Sequence, residues 1–376
     1  MKKTIALCCL LALAAFWPFQ VQAGESVQRI SCASFANFDK LSLRTVSVPD
    51  GEMEYMVVGQ GRPLLMFCGT GGVLTDWPVE FIKGLCGKRS VILFNYPGIG
   101  RSTLTNSRFG WKSIASDVQA VLEDYQSVFD NTYDKADVVA WSLGTLFALK
   151  YTVYYPDSVR RLALFASKPG GGAEGNQAYC VYQRYEILAN ASQYSDAVVD
   201  AARKELYELM FPLEEPTDDC NSTSSMECTS DNNCLPSLEA STFYNSLYGG
   251  TPDDVLTRQR ELVADWNQYA CLQNGPCLHP QGAICYVKPA ASPRDDRSMQ
   301  ELTVCDKIRA PVLVVSGTYD FYIRPAYGTL LVDALNRSGG SASSVLKDNA
   351  GHGALLQYPE WAAETALNFL GFYGSR

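Results

Sequence analysis

Short apolar runs recur in the first and last thirds of the chain, and stretches with helical periodicity separate them. Apolar runs of about five residues are typical of strands buried on both faces of a sheet. The pattern predicts strands at 63–67, 90–94, 138–140, 162–166, 312–315 and 343–346. It predicts helices at 77–85, 111–129, 145–151, 326–336 and 359–372. Strands that alternate with helices in this way predict an α/β fold, with a mostly parallel central sheet and helices on both faces.

Two segments near the start, 41–48 and 52–58, alternate apolar and polar residues. Alternation with a period of two is typical of strands that have one buried face. The intervening Pro49-Asp50-Gly51 is a turn sequence. We therefore predict that the two segments are paired strands joined by a tight turn.

The alternation of strands and helices breaks at Lys168-Pro169-Gly170-Gly171-Gly172 and resumes only at 311–315. Helix-like stretches, such as 197–210 and 255–269, lie between these points, together with polar, cysteine-rich loops that show almost no strand signal. Because the later strands complete the same sheet pattern, we interpret the middle stretch as an insertion and call it the cap. The predicted division is a leader at 1–23, core at 24–168, the cap at 169–305 and the rest of the core at 306–376.

Residues 1–23 have the features of a secretory signal peptide. Lys2 and Lys3 provide a charged start, an apolar run covers 5–17, and Val21-Gln22-Ala23 resembles a small-x-small cleavage site. The alternative is a membrane anchor, which is disfavoured because the apolar run is too short to span a bilayer comfortably. We expect an exported protein, periplasmic or secreted, with no stable membrane span.

The net charge narrows the choice of partners. The 376-residue chain has a formal net charge of −9 and no basic run. This balance argues against nucleic acids and anionic membrane surfaces as partners. Apolar residues make up 47% of the chain, which is enough for a large core. The sequence leaves the oligomeric state open.

Eight of the thirteen cysteines lie in one middle stretch. They are Cys180, Cys220, Cys228, Cys234, Cys271, Cys277, Cys285 and Cys305. In an exported chain this density predicts disulfides among them, with the pairing left open. A zinc site is the alternative, but the chain has no Cys-x-x-Cys pair and only two histidines. We therefore predict no metal and no organic cofactor.

Ser142 stands between the predicted strand 138–140 and the predicted helix 145–151. The residues two before and two after it, Ala140 and Gly144, are small. This pattern is typical of a nucleophile elbow, where a strained turn exposes the serine Oγ and the strand and helix pack too closely for larger side chains. The alternative is an ordinary serine at a helix N-cap.

A serine becomes a strong nucleophile only when a base takes its proton. The base is usually histidine, and the chain offers two. His352 follows the last predicted strand and precedes a helix, whereas His279 lies in a cap loop with no strand before it. We predict His352 as the base and interpret His279 as a loop or surface histidine.

The base in turn needs an acid to orient it. Asp320 directly follows the predicted strand 312–315. Asp333 lies within a predicted helix, and Asp348 is close to His352 along the chain, so we prefer Asp320. The predicted catalytic residues are Ser142, Asp320 and His352, in the chain order nucleophile, acid, base.

The negative charge that develops on a carbonyl oxygen needs two N–H donors aimed at it. We expect one to be the backbone N–H of Leu143, directly after the nucleophile. The other is expected at Thr70, in the Gly-rich turn after the strand 63–67. The alternative for that turn is a tight strand-to-helix connection without a binding role.

Five motifs in a fixed order carry a resemblance to a known family. They are Cys68-Gly69-Thr70, Asn95-Tyr96-Pro97-Gly98-Ile99-Gly100-Arg101-Ser102, Ala140-Trp141-Ser142-Leu143-Gly144, Gly317-Thr318-Tyr319-Asp320 and Gly351-His352-Gly353. Over 41–168 and 306–376 the chain resembles the α/β-hydrolase family, in particular cap-bearing bacterial esterases and proline iminopeptidase-like (tripeptidyl aminopeptidase-like) hydrolases. Members usually have His in place of Cys68 and Asp in place of Asn95. The resemblance implies an α/β-hydrolase fold with a mainly helical, cysteine-rich cap between two core strands, and a serine hydrolase that needs no cofactor.

The resemblance also implies that the cap covers the pocket and sets the substrate. Aminopeptidases of this group hold a free amino terminus with cap acids, a role for which Glu214 and Glu215 are candidates; the alternative is a solvated acidic loop. We predict substrate contacts at Gly71, Trp141, Glu214 and Glu215. A carboxylic ester is the favoured substrate and a short peptide the alternative. A non-catalytic binding protein on the same fold is the alternative from another class.

Overall fold

The computed structural model describes residues 29–38, 42–49, 51–103, 110–129, 131–168, 187–188, 190–211, 255–256, 258–259, 276–278, 284–286, 304–320 and 322–371. Its strands are β1 (Arg44–Val48), β2 (Gly51–Val58), β3 (Arg62–Phe67), β4 (Arg89–Phe94), β5 (Ala136–Trp141), β6 (Val159–Phe165), β7 (Pro276–Leu278), β8 (Ile284–Tyr286), β9 (Val312–Gly317) and β10 (Ala342–Lys347). Its α-helices are α1 (Val79–Cys86), α2 (Trp111–Val128), α3 (Leu143–Tyr154), α4 (Asp196–Met210), α5 (Val304–Lys307), α6 (Pro325–Arg337), α7 (Ala354–Gln357) and α8 (Pro359–Leu370). Short 3-10 helices cover Cys32–Ser34 and Ala191–Gln193.

Eight of these strands form one sheet in the order β1-β2-β4-β3-β5-β6-β9-β10. β2 runs antiparallel to both of its neighbours, and all the other pairs are parallel. The predicted mostly parallel α/β sheet is therefore confirmed, as is the predicted pairing of the first two strands. β3, β4 and β5 are buried almost throughout, which explains their continuous apolar runs.

The order of the strands determines which face each helix covers. The chain steps one way along the sheet from β3 to β4 and the other way from β4 to β5 and beyond. Because parallel crossovers are right-handed, α1 lies on one face while α2, α3 and α6 lie on the other. α8 packs against α1, and α2 packs against α3. Both faces of the sheet are thus covered, as predicted.

The chain leaves the sheet after β6 and returns directly beside it as β9, with Leu162 opposite Val312. The prediction that strands on either side of the cap complete one sheet is therefore confirmed, while the exact division into segments stays a prediction. Within the cap, the helix expected over 197–210 is present as α4. The helix expected over 255–269 is described only at 255–256 and 258–259.

One expectation for the cap is wrong. β7 and β8 form a small antiparallel pair there, with Cys277 opposite Cys285, although the sequence indicated almost no strand. β7 also ends directly before His279, which was expected to have no strand before it. Strands of only three residues are too short to show a period of two, so the pattern did not reveal them. His279 itself lies outside the described residues.

Two cysteines outside the cap form a disulfide. Cys32, in the 3-10 helix near the start of the described chain, is bonded to Cys86 at the end of α1. The bridge closes a loop of 54 residues in sequence and ties the N-terminal segment to the core. Cys305 at the start of α5 is also disulfide-bonded. The pairing of the cap cysteines stays a prediction, because most of them lie outside the described residues.

A buried ion network fixes the end of the last helix. Asp137 of β5 is fully buried and accepts from Arg89 Nε (3.0 Å) and Arg160 Nε (2.7 Å). Both arginines also donate to the Leu370 carbonyl, at the C-terminus of α8. The carboxylate thus neutralises two cations that in turn satisfy carbonyls left free at a helix end.

A second ion pair ties the edge hairpin to α2. Arg44 of β1 and Tyr55 of β2 both donate to the carboxylate of Asp124, each at 2.5 Å. Burial disfavours the charged carboxylate, but the hydrogen bonds from Arg44 and Tyr55 outweigh it, so the pKa of Asp124 lies below its usual value.

Among the helices that the structure describes, none combines the length and apolar content needed to cross a membrane.

Candidate active site

The turn between β5 and α3 holds Ser142 in a strained conformation. Its φ of 53° and ψ of −124° lie where non-glycine residues are rare, at a cost of about 1–3 kcal/mol. The Ser142 N–H donates to the Phe165 carbonyl (3.0 Å). The Ser142 carbonyl accepts from the N–H and the Oγ1 of Thr145 (2.9 and 2.6 Å). The sheet and the helix therefore support the strained turn from both sides.

The small residues around Ser142 allow the helix to approach the sheet. A Cβ added to Gly144 would lie 2.1 Å from the Phe67 carbonyl oxygen and 2.4 Å from that of Cys68. Only glycine fits there, because both obstacles are backbone atoms at the end of β3. Ala140 is fully buried in β5, and its single methyl group is accommodated. This packing is what the nucleophile-elbow pattern predicts.

Ser142, His352 and Asp320 form a continuous chain of hydrogen bonds. His352 Nε2 lies 2.8 Å from Ser142 Oγ, and His352 Nδ1 lies 3.1 Å from both carboxylate oxygens of Asp320. Asp320 also accepts from the Ile323 N–H at 2.8 Å. Because an ionised carboxylate only accepts hydrogen bonds, the imidazole proton belongs on Nδ1, and Nε2 is left to accept from the serine. The structure thus brings together the three residues predicted to be catalytic, and only 3% of Asp320 and of His352 is exposed.

Contacts from three directions hold the loop that carries His352. A Cβ at Gly317, the last residue of β9, would lie 2.2 Å from the Ala350 carbonyl oxygen, so this strand end and the loop touch. The indole Nε1 of Trp141 donates to the His352 carbonyl at 3.0 Å. The Tyr322 ring stacks on the imidazole, with ring centres 4.6 Å apart and planes inclined by 13°. These contacts fix the position and the plane of the His352 imidazole.

The Gly-rich turn after β3 lies against Ser142. A Cβ at Gly69 would be 3.4 Å from the Ser142 Cβ, so the next residue, Thr70, is close to the nucleophile. Within the described ranges, neither the Thr70 N–H nor the Leu143 N–H has a hydrogen-bond acceptor. Leu143 is the first residue of α3, where N–H groups have no partner inside the helix. Both predicted oxyanion donors are therefore next to Ser142, neither is used by the described part of the chain, and their role stays a prediction.

The N–H of Gly71 is engaged differently. It donates to the side-chain Oε1 of Gln259 at 2.8 Å, and Gln259 belongs to the predicted cap. Trp141, also predicted to contact substrate, is buried and holds the His352 carbonyl. Substrate contacts by Gly71 and Trp141 stay predictions, and the structure gives each of them a positioning role as well.

Comparison with known proteins places this site in a family. The sequence profile of the family described as alpha/beta hydrolase fold matches residues 62–359, which is most of the chain. The chain belongs to the α/β-hydrolase fold family.

Relatives and solved structures are consistent with this membership. A pyrrolizixenacetamide deacetylase of Xenorhabdus hominickii is 29% identical over 126 residues, which are 33% of this chain and 45% of that protein. A pimeloyl-[acyl-carrier protein] methyl ester esterase of Legionella pneumophila (strain Lens) is 30% identical over 111 residues, which are 30% of this chain and 40% of that protein. The matches thus span less than half the length of these relatives. The crystal structure of the esterase RhEst1 from Rhodococcus sp. ECU1013 shares the fold, with a TM-score of 0.59 at 16% identity, over 88% of this chain and 98% of that one.

In this α/β-hydrolase, Cys68 stands where members of the family usually have histidine. The Cys68 side chain is buried and not disulfide-bonded. Burial raises the pKa of its thiol well above the usual value, so the thiolate that a nucleophile would need is disfavoured. A Cβ at Gly72 would lie 2.3 Å from the Cys68 Sγ. Cys68 therefore packs beneath the Gly-rich turn as a structural thiol.

The cap of this α/β-hydrolase also reaches the loop of the base. The Gly353 N–H, directly after His352, donates to the carbonyl of Met210 at the end of α4 (3.1 Å). A Cβ at Gly353 would lie 2.1 Å from the Phe211 ring, and Phe211 itself is buried. The cap thus contacts both the turn that holds Thr70 and the loop that holds His352.

Some predicted residues cannot be placed, and some neighbours of the site were not predicted. Glu214 and Glu215 lie outside the described residues, so their proposed contact with a substrate stays a prediction. No sequence motif contains Phe211, Gln259 or Tyr322, so these neighbours of the site could not be predicted. Among the described residues, no group of three His, Cys, Asp or Glu side chains is arranged to bind a metal ion.

Proposed function

We propose that the protein is an exported serine hydrolase that cleaves a carboxylic ester through an acyl-enzyme. The observation that carries this proposal is the buried hydrogen-bonded chain from Ser142 through His352 to Asp320, with the serine held in a strained turn. The family membership and the ester- and amide-cleaving activities named for the relatives support it. The disulfide between Cys32 and Cys86 supports an oxidising compartment and hence export.

The reaction follows from the roles of these atoms. Ser142 Oγ attacks the carbonyl carbon while His352 Nε2 accepts its proton, and Asp320 stabilises the imidazolium that forms. The N–H groups of Leu143 and Thr70 hold the oxygen that becomes negative. The imidazolium then passes its proton to the departing alkoxide, which leaves an acyl ester on Ser142. A water molecule, deprotonated by His352, attacks this ester and releases the acid and the free serine.

A fluorophosphonate probe tests the nucleophile. The protein should be labelled, and Ser142→Ala should abolish labelling, whereas Ser344→Ala, on the exposed face of β10, should not change it. Ester turnover should fall by about a millionfold in Ser142→Ala. His352→Ala should cost a similar factor and His279→Ala little. Labelling that survives Ser142→Ala, or histidine variants that behave the other way round, would refute the assignment.

A matched set of substrates tests the kind of bond. Short-chain p-nitrophenyl esters are compared with aminoacyl arylamides that have a free or an acetylated amino end. Turnover of the esters without cleavage of either amide supports the esterase. Strong cleavage of only the free-amine amide contradicts it and favours the aminopeptidase, because serine peptidases also hydrolyse activated esters. Glu214→Gln or Glu215→Gln should then raise KM for that amide. Absence of turnover, with Ser142 unlabelled, indicates a binding protein.

A further inference from the structure

One buried amide of the cap lies at the turn that holds Thr70. Gln259 is 0% exposed, and its Oε1 accepts from the Gly71 N–H at 2.8 Å. A backbone N–H can only donate, so the atom of Gln259 that faces it must be the oxygen. The orientation of the amide is therefore fixed by chemistry, and its Nε2 points away from the Gly71 nitrogen.

The other half of this amide is unsatisfied. Gln259 Nε2 is buried and has no hydrogen-bond partner among the described residues. Buried donors in proteins are nearly always paired, because an unpaired one forfeits its hydration without compensation. Both N–H bonds of this amide therefore lack an acceptor in the described part of the chain.

Nε2 lies near the turn that holds Thr70. The two heavy atoms of a side-chain amide lie about 2.2 Å apart, so Nε2 is within about 5 Å of the Gly71 nitrogen. Gly71 follows Thr70, and consecutive Cα atoms are about 3.8 Å apart. If a substrate whose carbonyl oxygen is bound to the Thr70 N–H extends towards Gly71, its atoms two or three bonds further along come close to Nε2.

We propose that Gln259 is a substrate-binding residue whose Nε2 donates to a second oxygen of the substrate, near the carbonyl that is cleaved. This inference rests on the proposed hydrolase function. The substrate class is an ester that carries an ether, hydroxyl or carbonyl oxygen two or three bonds from the scissile carbonyl. A free donor pair disfavours an ammonium group at this place, since both would present only N–H bonds.

Pairs of esters that differ by one oxygen test the proposal. On the acyl side, p-nitrophenyl methoxyacetate is compared with p-nitrophenyl butyrate; on the alcohol side, methoxymethyl butyrate is compared with propyl butyrate. Each pair exchanges one CH₂ group for oxygen at constant length. The variants are Gln259→Met, which removes both polar atoms, and Gln259→Glu, which keeps an oxygen for Gly71 but loses the donor. Gln193→Met, at an exposed position elsewhere in the cap, is the matched control.

The readout is the ratio of wild-type to variant kcat/KM for each substrate, so the intrinsic reactivity of the esters cancels. For at least one pair, this ratio should be about 3- to 10-fold larger for the oxygen-bearing ester, in both Gln259 variants, as expected for loss of one hydrogen bond. Gln193→Met should show ratios near one. Agreement between the two Gln259 variants separates loss of the donor from misfolding of either one.

If the Gln259 variants lose kcat/KM equally for both members of both pairs, the proposal is overturned and Gln259 only supports the turn. Selectivity in Gln259→Glu equal to that of the wild type would also overturn it, because that variant lacks the donor. If Ser142 is labelled by the fluorophosphonate but neither pair discriminates, only this inference fails. If Ser142 is not labelled and no ester is turned over, the proposed function fails with it.

Discussion

Substituting Gly144 by alanine tests whether the close packing of α3 against the end of β3 is needed to position Ser142. Gly144→Ala alters no group that takes part in the proposed reaction. The added Cβ would lie 2.1 Å from the Phe67 oxygen and 2.4 Å from the Cys68 oxygen. Cβ atoms are essentially never found closer than 3.0 Å to such atoms, so α3 and the end of β3 must separate by roughly 1 Å. Ser142 and the Thr70 turn lie on the two sides of this contact.

The expected effect on activity is larger than the effect on stability. Displacement of reacting groups by about 1 Å costs on the order of 100-fold in rate. Overpacking a core costs about 1–3 kcal/mol, and the better helix propensity of alanine returns up to about 1 kcal/mol of that. We therefore expect fluorophosphonate labelling of Ser142 to slow by about 100-fold, while the free energy of unfolding in urea falls by no more than about 3 kcal/mol.

Gly87→Ala is the matched control. Gly87 ends α1 with a φ of −66°, and a Cβ there would meet nothing within 4 Å. The same chemical change should leave labelling unchanged and alter stability by less than about 1 kcal/mol. If Gly144→Ala is labelled at the wild-type rate while remaining folded, the close contact between α3 and β3 does not position the serine, and the elbow argument is wrong.

Three further predictions concern stability. Asp137→Asn should lower the free energy of unfolding by about 3–5 kcal/mol, because it leaves the buried Arg89 without its carboxylate; a loss below about 1 kcal/mol in urea unfolding would contradict this. The lowered pKa of Asp124 stabilises the fold above the unfolded-state pKa of about 3.9, and this contribution is lost as the pH falls through the folded-state value. In Asp124→Asn the free energy of unfolding should therefore fall less steeply at acid pH than in the wild type. If the two free energies fall in parallel below about pH 5, the effect is excluded. Replacing Cys32 and Cys86 by serine should cost about 2–4 kcal/mol, and the difference from the wild type should vanish in reductant; a difference that persists there would mean the bridge is not its source.

The sheet could be predicted because its signals are local. β3, β4 and β5 are buried on both faces, and burial on both faces leaves a continuous apolar run that is visible without knowing the partners. Ser142, Asp320 and His352 could be identified for a related reason. Each lies one to five residues after the end of a strand, so the periodicity that locates the strands also locates these residues.

Contacts between distant parts of the chain could not be predicted in this way. Gln259 and Gly71 are 188 residues apart, and nothing in the neighbourhood of either residue indicates the other. The bridge between Cys32 and Cys86 joins segments outside the cysteine cluster on which the disulfide prediction rested. β7, with three residues, is shorter than the two periods needed to recognise alternation. Local periodicity carries no information about such pairs.

Asn95 departs from the family pattern, which has aspartate at this position, and its hydrogen bonds give the physical reason. Its Nδ2 donates to the buried Glu54 carboxylate (2.7 Å), and its Oδ1 accepts from the Leu74 N–H in the loop that follows the Gly-rich turn (2.8 Å). An aspartate could accept from Leu74 but could not donate to Glu54, and two carboxylates so close would repel each other. The amide at this position is therefore matched to Glu54, a pairing that neither residue reveals alone.

The contacts of the cap imply that it influences the rate as well as the choice of substrate. Met210 accepts from the N–H that follows His352, and Gln259 accepts from the N–H that follows Thr70. One of these two backbone positions is next to the predicted base and the other is next to a predicted oxyanion donor. A cap that only covered a pocket would change binding when altered and leave these loops in place. Here its loss would leave two N–H groups without their acceptors and free both loops to move, so alterations of the cap should lower kcat together with specificity.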